Sequence, residues 1–254
     1  MTRWVWEGLR SGIRTTRYPT AEERAAGVSP GRPRARAGVE ARTGAASANC
    51  PTGAIAPTEE GSRVDYRRCV HCFRCVRESR EAVAAVEWED GYEWAGEPEE
   101  AAATRELGYL FHRSLNIRFV DAGACGACMG EVRQIDNPYY NVHRLGFFLT
   151  PTPRNADVLL VAGPVTEAMR QALRETYEAM PPPKRVVAMG VCALSGGVFG
   201  PSAAAAGGVA DVLPVDVMVP GCPPPPLAIL HGLLVAVQRK PPVSLVSIAG
   251  CSPS

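Results

Sequence analysis

Five consecutive apolar residues in "DVLLVAG" (157–163) set the strongest limit on the fold. A run without polar alternation belongs to a strand covered on both faces, as in a parallel sheet. The next segment, "VTEAMRQALRETYEAM", sets Val165, Met169, Ala172/Leu173, Thr176 and Met180 at helical spacing, and "PPP" (181–183) stops it. "RVVAMGV" (185–191) and "VDVMVPG" (215–221) repeat the buried-strand pattern. "LAILHGLLVAVQRK" (227–240) opens after "PPPP" and ends on basic residues that suit a helix dipole. Strands alternating with helices predict an α/β domain built on a doubly wound parallel sheet.

The cysteines fall at the ends of these strands. "NIRFVDAGACGAC" puts Cys125 and Cys128 after a strand, "RVVAMGVC" puts Cys192 after a second, and "VDVMVPGC" puts Cys222 after a third. Open α/β sheets bind ligands beyond the carboxyl ends of their strands. Three loops thus deliver four soft thiolates to one edge, a set that favours zinc or an iron–sulfur cluster. Gly190, Gly196, Gly197 and Gly221 are expected to let backbone approach there and donate N–H groups to sulfur. Nine cysteines in a chain whose start, "MTRWVWEGLRSGIR", lacks a signal-peptide pattern read as metal ligands rather than disulfides.

A second quartet lies upstream. Cys69, Cys72 and Cys75 follow the spacing Cys-x2-Cys-x2-Cys, and "NCPTGAI" supplies Cys50 before a proline. In two-cluster ferredoxins the cysteine before Pro ligates the other cluster, so Cys50 completes the downstream run. The cluster of the first run would need positions 40, 43, 46 and 79, which hold Glu40, Thr43, Ala46 and Ser79. The unit resembles a bacterial ferredoxin domain reduced to one 4Fe–4S cluster. Four thiolates also suit zinc, though structural zinc sites usually use two separated Cys-x2-Cys pairs. Cys251, in "GCSPS", is left as a spare thiol.

Charge and composition divide the rest. Residues 1–38 read as an N-terminal docking helix and linker, with Trp4, Leu9 and Ile13 roughly on one side of an amphipathic helix over residues 1–19. Such a helix suits a membrane surface, a partner groove or packing against its own chain. Residues 39–80 form the ferredoxin-like 4Fe–4S unit, 81–107 an acidic linker, 108–240 the larger 4Fe–4S domain and 241–254 a tail. Residues 1–49 carry nine Arg against four Glu, and 81–107 nine acidic side chains against Arg105. Solvated arms and partner docking both fit that imbalance. A net charge of +1 excludes a nucleic-acid binder by charge, and no apolar run is long enough to span a membrane.

"DAGACGACMGEV", "NPYYNVHRLGFFLTPTPRNADVLLVAGPVTEAM", "GVCALSGGVF" and "PVDVMVPGCPPPP" occur in an order that resembles one family. It is the small-subunit family of membrane-bound, formate-hydrogenlyase-type (group 4) nickel–iron hydrogenases and of the 20-kDa subunit of complex I. The first 80 residues resemble the neighbouring ferredoxin-like subunit, "LRSGIRTTRYP" matching its helix on the membrane arm. The resemblance implies a flavodoxin-like sheet, two 4Fe–4S clusters, and an oxidoreductase subunit with its active site on a partner large subunit. Membrane-arm subunits, further ferredoxin-like subunits and a peripheral place on the cytoplasmic face of the inner membrane are implied as well. Cys125-x2-Cys128 is similar to the hydrogenase branch, whereas complex I carries adjacent cysteines.

By the same resemblance Glu131 matches a glutamate tied to proton transfer, although a glutamate there also suits a helix N-terminus. Arg154 matches a basic position near the cluster, with a salt bridge to Asp157 or a surface location as alternatives. His71 and His143 read as local hydrogen-bonders. The implied function is electron relay between the Cys50/69/72/75 cluster and the Cys125/128/192/222 cluster beside a nickel–iron site. Quinone reduction of complex I type and a stand-alone iron–sulfur carrier are the rival readings. The apolar 227–240 helix and a bare cluster edge argue for a standing partner.

Overall fold

A computed structural model describes residues 3–37, 47, 49–59, 61–77, 86–98 and 114–249. Glu40, Thr43, Ala46, Ser79 and Cys251, with the expectations attached to them, lie outside the described residues. The N-terminal part comprises α1 (Arg3–Ser11), β1 (Arg32–Ala35), β2 (Ile55–Thr58), β3 (Gly61–Asp65), α2 (Arg74–Arg77) and β4 (Val86–Glu89). The larger domain follows with β5 (Leu115–Asp121), α3 (Ala127–Gln134), β6 (Phe147–Leu149), β7 (Val158–Ala162), α4 (Glu167–Glu178), β8 (Arg185–Met189), α5 (Val191–Ser195), β9 (Val217–Val219) and α6 (Pro226–Ala236). A further strand, β10 (Val246–Ile248), follows.

The five strands β5–β9 form one parallel sheet in the order β6-β5-β7-β8-β9. Counted within the domain this is 2-1-3-4-5, the flavodoxin-like order, whose ligand edge is the carboxyl end of the strands. Every residue of β7 and β8 is buried, as the unbroken apolar runs require. Side chains alternate between two cores. Val158, Leu160, Val187 and Met189 face a core shared with α3 and α6, while Leu159, Val161, Val186 and Ala188 face Leu173 and Met180 of the α4 side.

All eleven residues of α6 are buried by the chain itself. That corrects the reading of this helix as a partner surface: its uniform apolarity marks a core element, stabilised by about 1.5–3 kcal/mol for each large side chain removed from water. It lies so close to the sheet that a Cβ on Gly232 would sit 2.3 Å from Val219 Cγ2. The helix also ends before its basic residues. Gln238 turns left-handed at φ 56, and Arg239 and Lys240 bind the Leu145 carbonyl (2.7 Å) and Glu93 (2.8 Å) instead of capping the dipole.

Two stretches expected to be linkers contain paired strands. β1 from the basic arm runs antiparallel to β4 from the acidic stretch, matching Arg34 to Glu87 and Arg32 to Glu89. The uneven charge is thus partly settled within the chain, with Arg34 and Glu87 4.0 Å apart. Beyond β4, Tyr92, Trp94 and Ala95 are buried in the α6-side core. The expected tail is also a strand: β10 pairs with β3, giving the three-stranded sheet β10-β3-β2. Of the N-terminal helix, residues 3–11 are helical, and Trp4 (72% exposed), Leu9 (68%) and nearby Ile13 (81%) leave its apolar side uncovered.

Candidate functional site

The turn from β5 into α3 passes through left-handed Gly126 and carries Cys125 and Cys128 on either side. Cys192 sits in α5 directly after β8, and Cys222 follows β9. All three connections leave the carboxyl edge of the sheet, so the topology gathers the four thiols. Gly190 (φ 85) and Gly197 (φ 58) press against them: a Cβ would stand 2.7 Å from Cys128 Sγ and 3.0 Å from Cys192 Sγ, respectively. The expected role of Gly190 and Gly196 as donors to sulfur is not what the structure shows. Their N–H groups donate to the carbonyls of Val219 and Cys192, and the absent side chain at Gly190 is what matters.

In the upstream unit Cys50, Cys69, Cys72 and Cys75 line one small cavity together with Pro33, His71 and Trp88. Cys50 Sγ accepts the Ala54 N–H at 3.2 Å, and Thr52 Oγ1 donates to the Arg68 carbonyl at 2.6 Å, tying the Cys50 loop to the Cys69 loop. Aromatic rings wall the cavity. Trp88 stacks on Phe73 with centroids 4.3 Å apart, and His71 meets Trp94 edge-on at 5.1 Å. Nδ1 of His71 is buried without a hydrogen-bond partner among the described residues, so this side chain is not the local hydrogen-bonder expected. His143 is one, binding Asp136 at 2.7 Å and the Phe147 carbonyl at 3.0 Å.

Burial pushes the thiols up, and neighbouring cysteines push them further. Cys69 is raised to about 12 by burial and then by Cys75, Cys50 and Cys72, and Cys75 to about 11 in the same way. At the sheet edge Cys128 is raised to about 12 by burial and then by Cys192, Cys222 and Cys125, and Cys192 to about 11 by burial and then Cys222 and Cys125. Four crowded thiols cannot ionise together without a cationic partner to displace their protons. This donor chemistry, with the glycine cradle and the orphaned His71 nitrogen, fits a polynuclear iron–sulfur group in each quartet. Among the described residues no three His, Cys, Asp or Glu side chains converge at single-ion spacing.

The two quartets are neighbours. Ser195, three residues after Cys192, donates its hydroxyl to the Arg67 carbonyl, two residues before Cys69, at 2.8 Å. A crevice of about 550 Å³ is lined by His71 and Phe73 from the Cys69 loop together with Glu131, Tyr140 and Cys222 from the larger domain. Glu131, one helical turn after Cys128, is half-buried there, and burial raises its carboxyl above the usual range. Arg154 is exposed in the turn before β7, at the amino edge of the sheet. The five residues of β7 rise about 16 Å to the thiol edge, so of the alternatives for Arg154 the surface location holds and the place near the cluster does not. Asp157 instead accepts the Asn116 backbone N–H at 2.7 Å.

Sequence reasoning missed Trp88, Trp94 and Ser195. The alternating "VEWE" (86–89) carried a strand signal that the acidic composition masked. Ser195 carried none, because its partner lies 128 residues away.

The family described as NADH ubiquinone oxidoreductase, 20 Kd subunit, matches residues 125–236. That span holds Cys125, Cys128, Glu131, Cys192 and Cys222, and the upstream quartet lies outside it. A probable membrane-bound hydrogenase subunit of Pyrococcus furiosus is 42% identical over 134 residues, 53% of this chain and 80% of that protein. An uncharacterized protein of Methanocaldococcus jannaschii is 45% identical over 127 residues, 50% of this chain and 85% of that one. Formate hydrogenlyase subunit 7 of Escherichia coli is 39% identical over 125 residues, 49% of each chain.

Proposed function

The chain belongs to the family of the NADH ubiquinone oxidoreductase 20 Kd subunit, and on that premise we propose that it is the electron-transfer subunit of a membrane-associated hydrogenase-type complex. It is an oxidoreductase subunit of hydrogenase or complex I type. Cys50, Cys69, Cys72 and Cys75 would hold one 4Fe–4S cluster, and Cys125, Cys128, Cys192 and Cys222 a second beside a partner's nickel–iron site. The carrying observation is that the Ser195–Arg67 hydrogen bond ties the Cys192 helix to the Cys69 loop, while His71 and Phe73 of that loop share one crevice with Cys222.

Iron–sulfur clusters, when bound, supply one-electron chemistry, and the protein sets their position and potential. This chain's own thiolates would hold the iron, with Cys128 and Cys192 oriented against Gly190 and Gly197. The stacked Trp88 and Phe73 rings wall the upstream cavity. Glu131 would hold a proton on its raised carboxyl and pass it along the crevice. Residues 39–80 and 108–240 are proposed as the two cluster-bearing domains, with β1, β4 and β10 completing the first.

The large subunit and membrane-arm subunits are the proposed partners, on the cytoplasmic face of the membrane. Among the described residues no helix is long and apolar enough to cross a membrane, so attachment would be peripheral, through the uncovered side of α1. Purification of the native complex tests the assignment. Hydrogen turnover and nickel in the large subunit are expected; quinone reduction without nickel would assign the complex I role, and recovery of the chain alone would defeat the complex.

A further inference from the structure

The electron-relay reading requires electrons to cross from one quartet to the other. His71 and Phe73 are the two residues that line both the upstream thiol cavity and the crevice carrying Cys222. Phe73 is an exposed rim residue stacked on Trp88. His71 is different. Its ring is wedged edge-on against Trp94 and Trp88, with centroids 5.1 and 6.0 Å away, and its Nδ1 is buried.

The backbone also holds His71 in place. Its φ of 49 is left-handed, as is that of Phe73 at 60, and His is one of the few side chains that adopt this region with any frequency. The Thr52–Arg68 and Ser195–Arg67 hydrogen bonds anchor the Cys69 loop on both sides, to the Cys50 loop and to α5. A left-handed backbone, ring contacts with two tryptophans and anchors to both ligand sets together place one side chain at the junction.

We infer that His71 is the bridging residue of the relay, its imidazole filling the gap through which electrons pass between the two thiol quartets. The inference rests on the two-cluster reading above. The ring bridges by occupying space with bonded atoms: electronic coupling decays more steeply across a solvent-filled gap than through packed, bonded matter, so a missing ring slows transfer without changing either cluster. His71 is a positioning residue in this sense, since the thiolates remain the ligands.

The test uses the full chain with its iron in place, reduced rapidly and sampled by freeze-quench EPR to follow the two cluster signals. His71→Asn tolerates the left-handed backbone but lacks the ring, and His71→Gly serves as a second ring-less variant. His71→Phe restores a ring of similar size. Transfer is expected to slow by about tenfold or more in the ring-less variants, the scale for losing a group just outside a metal's ligands. Iron content and both midpoint potentials should stay at wild-type values, and His71→Phe should recover most of the rate. Wild-type rates in iron-loaded His71→Asn or His71→Gly would overturn the bridge. A wild-type chain whose two signals never exchange electrons would overturn the relay reading itself.

Discussion

Gly190→Ala puts the cradle around the sheet-edge quartet to a quantitative test. Gly190 adopts φ 85, ψ 149, a region open essentially to glycine alone, and an alanine there costs about 1–3 kcal/mol in backbone strain. The new Cβ would also meet Cys128 Sγ at 2.7 Å, closer than real contacts allow, adding about 1–3 kcal/mol of overpacking. The sum, about 2–6 kcal/mol, is a large share of the about 5–15 kcal/mol that holds a domain together. The cheapest relief is to move Cys128, which breaks the quartet. Gly126→Ala is the control: Gly126 is also at positive φ (91), but its Cβ would meet nothing within 4 Å. It should therefore cost only the left-handed penalty of about 1–2 kcal/mol. Urea unfolding and iron counting read both effects. Gly190→Ala should lose stability and about half its iron, with the upstream cluster's EPR signal kept. Full iron and a stability change equal to that of Gly126→Ala would refute the cradle.

Cys50→Ala should abolish the upstream cluster signal and leave the sheet-edge signal intact, by EPR. Ser195→Ala removes the hydroxyl that donates to the Arg67 carbonyl; a loss of about 1 kcal/mol in unfolding free energy is expected, with both clusters retained. His231, whose Nδ1 accepts the Ala95 N–H at 3.1 Å, is lowered to about 4 from 6.5, chiefly by burial. Because its folded pKa lies below the unfolded one, stability is full above pH 6.5 and falls as the pH drops through the window from 6.5 to about 4. Between pH 7.5 and 5.5 the loss should be about 1 kcal/mol, and His231→Gln should flatten that slope in unfolding titrations. Replacing Trp4 and Trp6, both exposed on α1, by Ser should weaken membrane association, measured by flotation of the native complex; undiminished flotation would exclude α1 as the anchor.

Where burial dictated the residue pattern, the sequence was readable. β7 and β8 are apolar without interruption because both faces are covered, and the cysteines that follow β5, β8 and β9 therefore had to share an edge. Reading failed where tertiary partners override composition. "RPRA" and "VEWE" look like solvated charge until each is seen as the other's complement, 53 residues apart at the Arg34–Glu87 contact. β10 joins β3 from the far end of the chain, a pairing that no local pattern encodes. α6 reads equally as core or as interface in one dimension, and only its enclosure by β9, α3 and Trp94 decides for core. Arg154 was placed by family likeness, and the direction of β7 puts it at the other edge.

The central claim is that this chain holds two iron–sulfur centres at two separate quartets. Iron and sulfide analysis with EPR on the anaerobically purified full-length chain tests it directly. About eight iron atoms per chain and two distinct 4Fe–4S signals are expected. Zinc in place of iron, or a single cluster that survives both Cys50→Ala and Cys192→Ala, would contradict it.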